Sequence, residues 1–116
     1  MKSDEIVMYI VVNSELKMDK GKIAAQVAHS AVKASHRGSV DTADEWTKWF
    51  AGSYTKICLK APAFMLKKLM KLYPKTCIGT YDEGRTQIPS GSLTTVAFIP
   101  MAKGKAPKEL SQLKLL

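Results

Sequence analysis

The chain has 116 residues, and its 46% hydrophobic and 24% charged composition is that of one ordinary globular domain. Its longest apolar run, residues 6–12, is far shorter than the roughly 20 residues that cross a bilayer, and the acidic start lacks the basic pattern of a signal peptide. We therefore expect a cytoplasmic protein without a membrane segment. Cys58 and Cys77 form no CxxC pair and have no histidine nearby in sequence, which favours reduced thiols over a zinc site or a disulfide.

The net charge of +8 is unevenly distributed along the chain. Residues 1–50 hold seven Lys/Arg and seven Asp/Glu, whereas residues 51–116 hold eleven and three, so the whole excess lies in the second part. This asymmetry favours a polyanionic partner, because neutralised phosphates release counterions. It is also common on proteins that bind no nucleic acid, so charge alone leaves RNA or DNA binding open.

Apolar and turn-forming residues divide the chain into a series of elements. In chain order, they predict a strand over 6–12, a helix over 19–35, a helix from 41 or 42 to 50, a strand over 55–59, a helix over 62–73, a strand over 76–81, a polar loop over 82–92, a strand over 94–99 and a short helix over 107–113. Asp19 is a suitable N-cap for the first helix, which we expect Gly38 and Ser39 to end. This β-α-α-β-α-β-loop-β order predicts one α/β domain over residues 1–116, with helices covering a mixed sheet.

The first predicted helix has an unusual polar stripe. Its residues, spaced four, three and four apart on one helical face, are Lys22, Gln26, His29 and Lys33. The opposite side, which we expect to pack on the sheet, contains Ile23, Ala24, Val27, Ala28, Ala31 and Val32. A solvated face would explain such a stripe without any function. However, a lysine in the first turn opposes the helix dipole, and histidine is well suited to moving protons near neutral pH.

A second polar cluster occupies residues 82–94, between two predicted strands. It combines carboxylates, a guanidinium, an amide and several hydroxyls, and its glycines permit tight turns. A plain polar hairpin loop is the alternative interpretation. The sequence contains neither a GxSxG nor an HExxH motif. Residues 18–23 fail as a phosphate-binding loop, because Leu16 and Ile23 stand where that motif needs Gly and Ser or Thr.

These two clusters resemble the two signatures of the type 2 peptidyl-tRNA hydrolases, the archaeal and eukaryotic form. Residues 21–29 read Gly-Lys-Ile-Ala-Ala-Gln-Val-Ala-His, which is similar to the family motif Gly-Lys-x-Ala-Ala-Gln-x-x-His. Residues 82–94 contain Asp-x-Gly-Arg-Thr-Gln-Ile-Pro, then Gly-Ser and Thr, which is similar to the second motif. Trp49, the lysine-flanked segment 56–60 and the ending 113–116 also resemble the family.

The resemblance implies a four-stranded mixed sheet sandwiched between helices, a homodimer, and hydrolysis of the ester between a peptide and the tRNA 3′ ribose without a metal or other cofactor. The positions that it implies for catalysis are Lys22, His29, Asp82, Thr86 and Thr94. Gln26 and Arg85 lie within the same motifs, and we expect them to assist in binding the substrate.

The sequence departs from the family pattern in three places. Glu83 stands where a small residue is expected, and it adds negative charge beside Asp82. The stretch from Lys60 to Asp82 is shorter than usual by about four residues, roughly one helical turn. Ile99 stands where the last strand usually has a glycine. Glu83 and the shortened stretch leave an inactive RNA-binding module on this fold open as an alternative. A protein-interaction adaptor, in which the polar face of the first helix docks a partner, also stays open.

For the reaction itself, we expect water to be the nucleophile. Asp82 would act as its base or orient it, and Thr86 and Thr94 would place the water and the ester by hydrogen bonds. Lys22 would stabilise the oxyanion or hold a terminal phosphate, and His29 would move a proton or bind the tRNA end. Thr94 as a covalent nucleophile stays open. The lysines expected to contact the tRNA backbone are Lys56, Lys60, Lys67, Lys68 and Lys71.

Overall fold

The computed structural model describes residues 4–83 and 88–116 of the chain. Its strands and helices are β1 (Ile6–Asn13), α1 (Lys20–Asp41), α2 (Ala43–Ala51), β2 (Lys56–Ala61), α3 (Ala63–Leu72), β3 (Cys77–Tyr81), β4 (Leu93–Phe98), β5 (Met101–Ala102) and β6 (Lys114–Leu115). Two 3₁₀ helices, Lys103–Lys105 and Lys108–Gln112, precede β6, and the second stands where the sequence predicts a short helix. The predicted order of elements up to β4 is confirmed.

The described residues form one mixed sheet of six strands, with the order β3-β4-β1-β2-β6 and with β5 paired to β1. β1 and β2 are parallel, whereas β4 is antiparallel to both β1 and β3. The expected mixed sheet is therefore present, but four strands is the wrong number. The additional strands β5 and β6 have two residues each. A two-residue strand is too short to show the alternation of apolar and polar residues by which a strand is recognised in a sequence.

Helices cover both faces of the sheet, as predicted. Leu66 and Leu69 of α3 share one core with Val11 of β1, whereas Ala34 of α1 shares the other core with Ile10. Because successive side chains of a strand point to opposite faces, β1 enters both cores and is apolar from Ile6 to Val12. None of the helices in the described part of the chain is long and apolar enough to cross a membrane.

α1 continues past Gly38 to Asp41, so the predicted end of this helix at Gly38 and Ser39 is wrong. Gly38 is buried where α1 meets the end of the sheet. A Cβ at this position would lie 3.0 Å from Pro100 Cδ and 3.6 Å from Ile99 Cβ. Glycine at position 38 therefore permits close packing and does not end the helix.

The face of α1 that packs on the sheet also differs from the prediction. Its buried residues are Gln26, Ser30, Ala31, Ala34 and Gly38. By contrast, Ala24, Ala28 and Val32 are exposed. The expected apolar face is therefore only partly buried, and two polar side chains take its place. Those side chains are buried at low cost, because threonines of β3 and β4 supply hydrogen-bond partners.

Candidate active site

The first motif begins at the amino-terminal end of α1. Asp19 is the N-cap of this helix, as predicted, and its Oδ1 accepts a hydrogen bond of 2.9 Å from the backbone N–H of Lys22. This bond fixes the backbone of the first turn. The Lys22 side chain extends from that turn to the segment that follows β3.

Lys22 forms an ion pair with Asp82, the residue directly after β3. Only 9% of the Lys22 side chain is exposed, and the Asp82 side chain is fully buried. Two backbone hydrogen bonds of 2.8 Å, from Asp82 N to Ser92 O and from Gly91 N to Asp82 O, fix this residue opposite the end of the loop. The structure thus joins the two sequence motifs through one pair of opposite charges, and low exposure to water strengthens their attraction.

One turn further along α1, Gln26 meets β4. Thr94 Oγ1 lies 2.9 Å from Gln26 Oε1 and 3.0 Å from the carbonyl oxygen of Thr80. Both of these atoms are acceptors, so the single hydroxyl proton of Thr94 is shared between them. Thr94 is fully buried. The Thr94 hydroxyl is thus directed at two protein acceptors, and its predicted part in placing the water and the ester stays a prediction.

A cavity of about 800 Å³ lies beside these residues. The complete predicted stripe lines it along α1, and the segment after β3 lines the other side; the residues concerned are Lys22, Gln26, His29, Lys33, Asp82 and Glu83. His29 is exposed at this rim, and Lys33 Nζ donates a 3.3 Å hydrogen bond to the carbonyl of Gly79. The volume is that of a small-molecule site, large enough for the end of a nucleotide chain.

Two predicted residues of the second motif, Arg85 and Thr86, lie outside the described residues. Glu83, the departure from the family pattern, is exposed and lines the cavity beside Asp82. Within residues 4–83 and 88–116, no three His, Cys, Asp or Glu side chains are grouped so that they could hold a metal ion.

Comparison with known proteins gives the same family as the motifs. A family model described as "Peptidyl-tRNA hydrolase PTH2" matches residues 6–116. The chain belongs to the peptidyl-tRNA hydrolase PTH2 family. A peptidyl-tRNA hydrolase of Sulfurisphaera tokodaii is 39% identical, covering 94% of this chain and 97% of its own length. One from Methanococcus maripaludis is 33% identical, covering 92% and 96%. A probable peptidyl-tRNA hydrolase 2 of Drosophila melanogaster is 35% identical over 98% of this chain and 63% of its own.

The five lysines predicted to contact tRNA lie on two faces of this PTH2 family member. Lys56 and Lys60 are exposed residues of β2. Leu59 of the same strand enters the core beneath α3. Because side chains alternate along a strand, Lys56 and Lys60 point to the opposite side of the sheet, which α1 covers. The other three are exposed on α3, which covers the opposite face: Lys67, Lys68 and Lys71. Of these five lysines, Lys56 and Lys60 lie on the side of the sheet that holds the cavity, and the three on α3 do not.

Sequence reasoning missed three buried hydroxyl residues that lie behind the cavity. Ser30 Oγ is 2.7 Å from Thr80 Oγ1 and is also hydrogen-bonded to Thr95 Oγ1. A signal for Ser30 was present, because it stands four residues after Gln26 and so continues the polar stripe of α1 by one turn. No comparable signal marks Thr80 and Thr95, because threonine is a common strand residue.

Proposed function

We propose that the chain is a peptidyl-tRNA hydrolase that cleaves the ester between a peptide and the 3′ ribose of tRNA. The observation that carries this proposal is the buried ion pair of Lys22 and Asp82, which brings the two family motifs together at one cavity. The family of the chain and the activity named for its relatives support the same reaction.

The reaction requires a nucleophile, stabilisation of the oxyanion and a proton for the leaving oxygen. In our proposal, a water molecule attacks the ester carbonyl carbon, and the Asp82 carboxylate orients it and accepts its proton. The Lys22 ammonium stabilises the oxyanion of the tetrahedral intermediate. The bond from carbon to the ribose 3′ oxygen then breaks. That oxygen takes a proton from His29, exposed at the rim, or, where His29 instead holds the tRNA end, it takes the proton that Asp82 accepted from the water.

Gln26 has a more direct role in this proposal than Thr94. The Thr94 hydroxyl binds Gln26 Oε1, which turns Nε2 and its two N–H donors away from Thr94. Gln26 lines the cavity, so these donors are suited to a carbonyl or phosphate oxygen of the substrate. Thr94 then acts by fixing the orientation of Gln26. Thr86 and Arg85, of the same motif as Asp82, are proposed to place the attacking water and to bind the tRNA end.

Release of the N-blocked amino acid from N-acetyl-aminoacyl-tRNA tests the proposal, with free aminoacyl-tRNA as the control substrate. We expect turnover of the blocked substrate and a fall in kcat of about 100-fold or more in Asp82→Asn. Asp44→Asn, an exposed acid on α2, is the matched control and should keep the wild-type rate. Wild-type kcat in a folded Asp82→Asn protein would remove Asp82 from the mechanism. Binding of tRNA without turnover would favour the inactive RNA-binding module and make Glu83→Ala the next protein to test.

The exposed lysines are proposed to contact the tRNA backbone through their charge. We expect tRNA affinity to fall steeply with salt, and each lysine in contact with a phosphate to contribute about one unit to the slope of log K against log salt. Comparing Lys56→Ala with Lys68→Ala shows which face the RNA follows. A slope near zero would instead favour a protein-interaction adaptor.

The cellular and oligomeric expectations stay part of the proposal. We propose that the enzyme acts in the cytoplasm, where peptidyl-tRNA is made, and as a homodimer. Exposed apolar side chains, among them Phe64 at 65% and Leu115 at 69% exposure, are compatible with a surface that a second copy covers. Sedimentation equilibrium at micromolar concentrations tests this, and the mass of one chain at every concentration would contradict the dimer.

A further inference from the structure

Five polar side chains are buried together between α1 and the strands β3 and β4. They are Gln26, Ser30, Thr80, Thr94 and Thr95, each at most 5% exposed. Buried hydroxyl groups are costly unless they are hydrogen-bonded, and each of these has a partner in the cluster. The cluster lies directly behind the cavity-lining side chain of Gln26 and is connected to it.

The direction of the hydrogen bonds follows when each hydroxyl of the chain is assigned one donated bond. Thr95 Oγ1 donates to the Gln26 main-chain carbonyl at 3.3 Å, because a carbonyl can only accept. With that proton used, Ser30 donates to Thr95, and Thr80 donates to Ser30 across 2.7 Å. In this assignment the bonds run in one direction, from Thr80 through Ser30 and Thr95 to the backbone of Gln26.

We propose that this hydroxyl chain is the positioning device of the active site. It ties two successive turns of α1, at Gln26 and Ser30, to β3 and β4. α1 carries Lys22 and Gln26, whereas the segment after β3 carries Asp82. Holding the helix at one rotation and height therefore sets both the ion pair and the orientation of the Gln26 amide. This inference rests on the proposed function, and it assigns Ser30, Thr80 and Thr95 a role through other residues, without contact with the substrate.

A polar cluster suits this task better than an apolar one of equal volume. Apolar contacts have no preferred direction, whereas hydrogen bonds weaken steeply when a helix rotation or shift misaligns donor and acceptor. Misplacing reacting groups by about 1 Å costs on the order of 100-fold in rate. Small movements of α1 would therefore affect kcat more than substrate affinity.

The test uses Ser30→Ala and Thr95→Val, which remove a hydroxyl with little change in shape, in the assay with N-acetyl-aminoacyl-tRNA. We expect each to lower kcat by about 10- to 100-fold, with KM within about twofold of wild type. The kcat of the double variant should be no lower than that of the less active single variant, because each substitution already breaks the same hydrogen-bond chain. Thr95→Ser, which keeps the hydroxyl, should recover most of the lost kcat.

Val96→Ala is the control for loss of stability alone. Val96 follows Thr95 on β4 but points to the opposite face, into the core beneath α3, so its truncation should lower Tm while kcat stays within about twofold. Rates are compared well below the Tm of every variant. Ser30→Ala and Thr95→Val with kcat equal to that of Val96→Ala would overturn the proposal. If Thr95→Val does not fold, Ser30→Ala and Thr95→Ser still decide it.

A readout that is independent of activity separates this proposal from the proposed function. The side-chain amide of Gln26 can be followed by NMR relaxation, and we expect it to be rigid in the wild type and in Val96→Ala but mobile in Ser30→Ala. An equally rigid Gln26 amide in Ser30→Ala would overturn the positioning role, whether or not the wild type turns over. If the wild type shows no turnover but the Gln26 amide is mobile in Ser30→Ala, the proposed enzyme activity is refuted, whereas the positioning role of the hydroxyl chain is supported.

Discussion

Replacing Lys22 with methionine tests how strongly the central ion pair stabilises the fold. Lys22→Met keeps most of the length and apolar volume of the side chain but removes the ammonium, while the Asp82 carboxylate stays buried. Removing one partner of a buried pair costs about 3–5 kcal/mol. We expect about 3 kcal/mol, at the lower end of that range, because Asp82 makes further polar contacts. For a domain of this length, the loss should lower Tm by roughly 12 °C.

The two sides of the pair should not be equivalent. In Asp82→Asn, the remaining charge belongs to Lys22, whose side chain is 9% exposed and long enough to move its ammonium toward water. We therefore expect a smaller loss for this variant, about 1–2 kcal/mol. The double variant should be more stable than the summed single losses predict, by about 1 kcal/mol or more, because it leaves neither charge without the other.

Urea unfolding at pH 7, followed by circular dichroism, gives the free energy of unfolding of all three variants. Lys33→Met is the matched control on the same helix, because Lys33 is exposed and its bond to the carbonyl of Gly79 is long, at 3.3 Å. We expect that control to change stability by less than about 0.5 kcal/mol. A loss below about 1 kcal/mol for Lys22→Met, or strictly additive losses in the double variant, would refute the reasoning.

Three further predictions follow from other parts of the molecule. Burial raises the pKa of the Cys77 thiol to about 12, so roughly one thiol in ten thousand is ionised at pH 8; iodoacetamide should modify it only after unfolding, and mass spectrometry of the native protein checks this. Gly38→Ala should lower the free energy of unfolding by about 1 kcal/mol in urea, because contact with the rigid Pro100 ring at 3.0 Å outweighs the better helix propensity of alanine. A hydrogen bond from Tyr73 lowers the pKa of the Glu109 carboxyl in the folded protein. The stability that this bond contributes is fully present above the pKa that the carboxyl has in the unfolded chain. It is lost as the pH falls through the lower pKa of the folded state. Thermal unfolding should therefore show that Tyr73→Phe loses stability at pH 7 and progressively less below pH 4; an equal loss at both would contradict the bond.

The parts of the fold that sequence patterns predict are those that local physics determines. The unbroken apolar run of β1 indicates a strand between two layers, and Ile10 and Val11 do enter opposite cores. Asp19 marks the start of α1, because its side chain satisfies a backbone donor that the helix cannot. Two-residue strands such as β5 and β6 escape prediction, because their pairing depends on where the rest of the sheet places its edges.

The candidate site shows the same limit at the level of side chains. The stripe of α1 and the polar loop are both visible in the sequence, yet nothing in either motif shows that Lys22 and Asp82 pair with each other. A polar stripe predicts that Gln26 is exposed, but it is buried. Thr94, 68 residues away, supplies the hydrogen bond that satisfies the buried amide. Residue types therefore identify the chemistry, whereas the fold alone decides which groups face the cavity and which support them.

Gly38 shows how packing from elsewhere in the chain can mislead a prediction from the sequence. Glycine at position 38 favours a helix end, yet α1 continues to Asp41. A Cβ at this position would be in ordinary contact with Ile99 Cβ at 3.6 Å but would lie only 3.0 Å from Pro100 Cδ. Because protein interiors are close-packed, the proline that follows the strand end leaves room only for a very small residue on the helix. The glycine therefore has a steric cause, the contact between α1 and Pro100, which the pattern of the helix alone does not reveal.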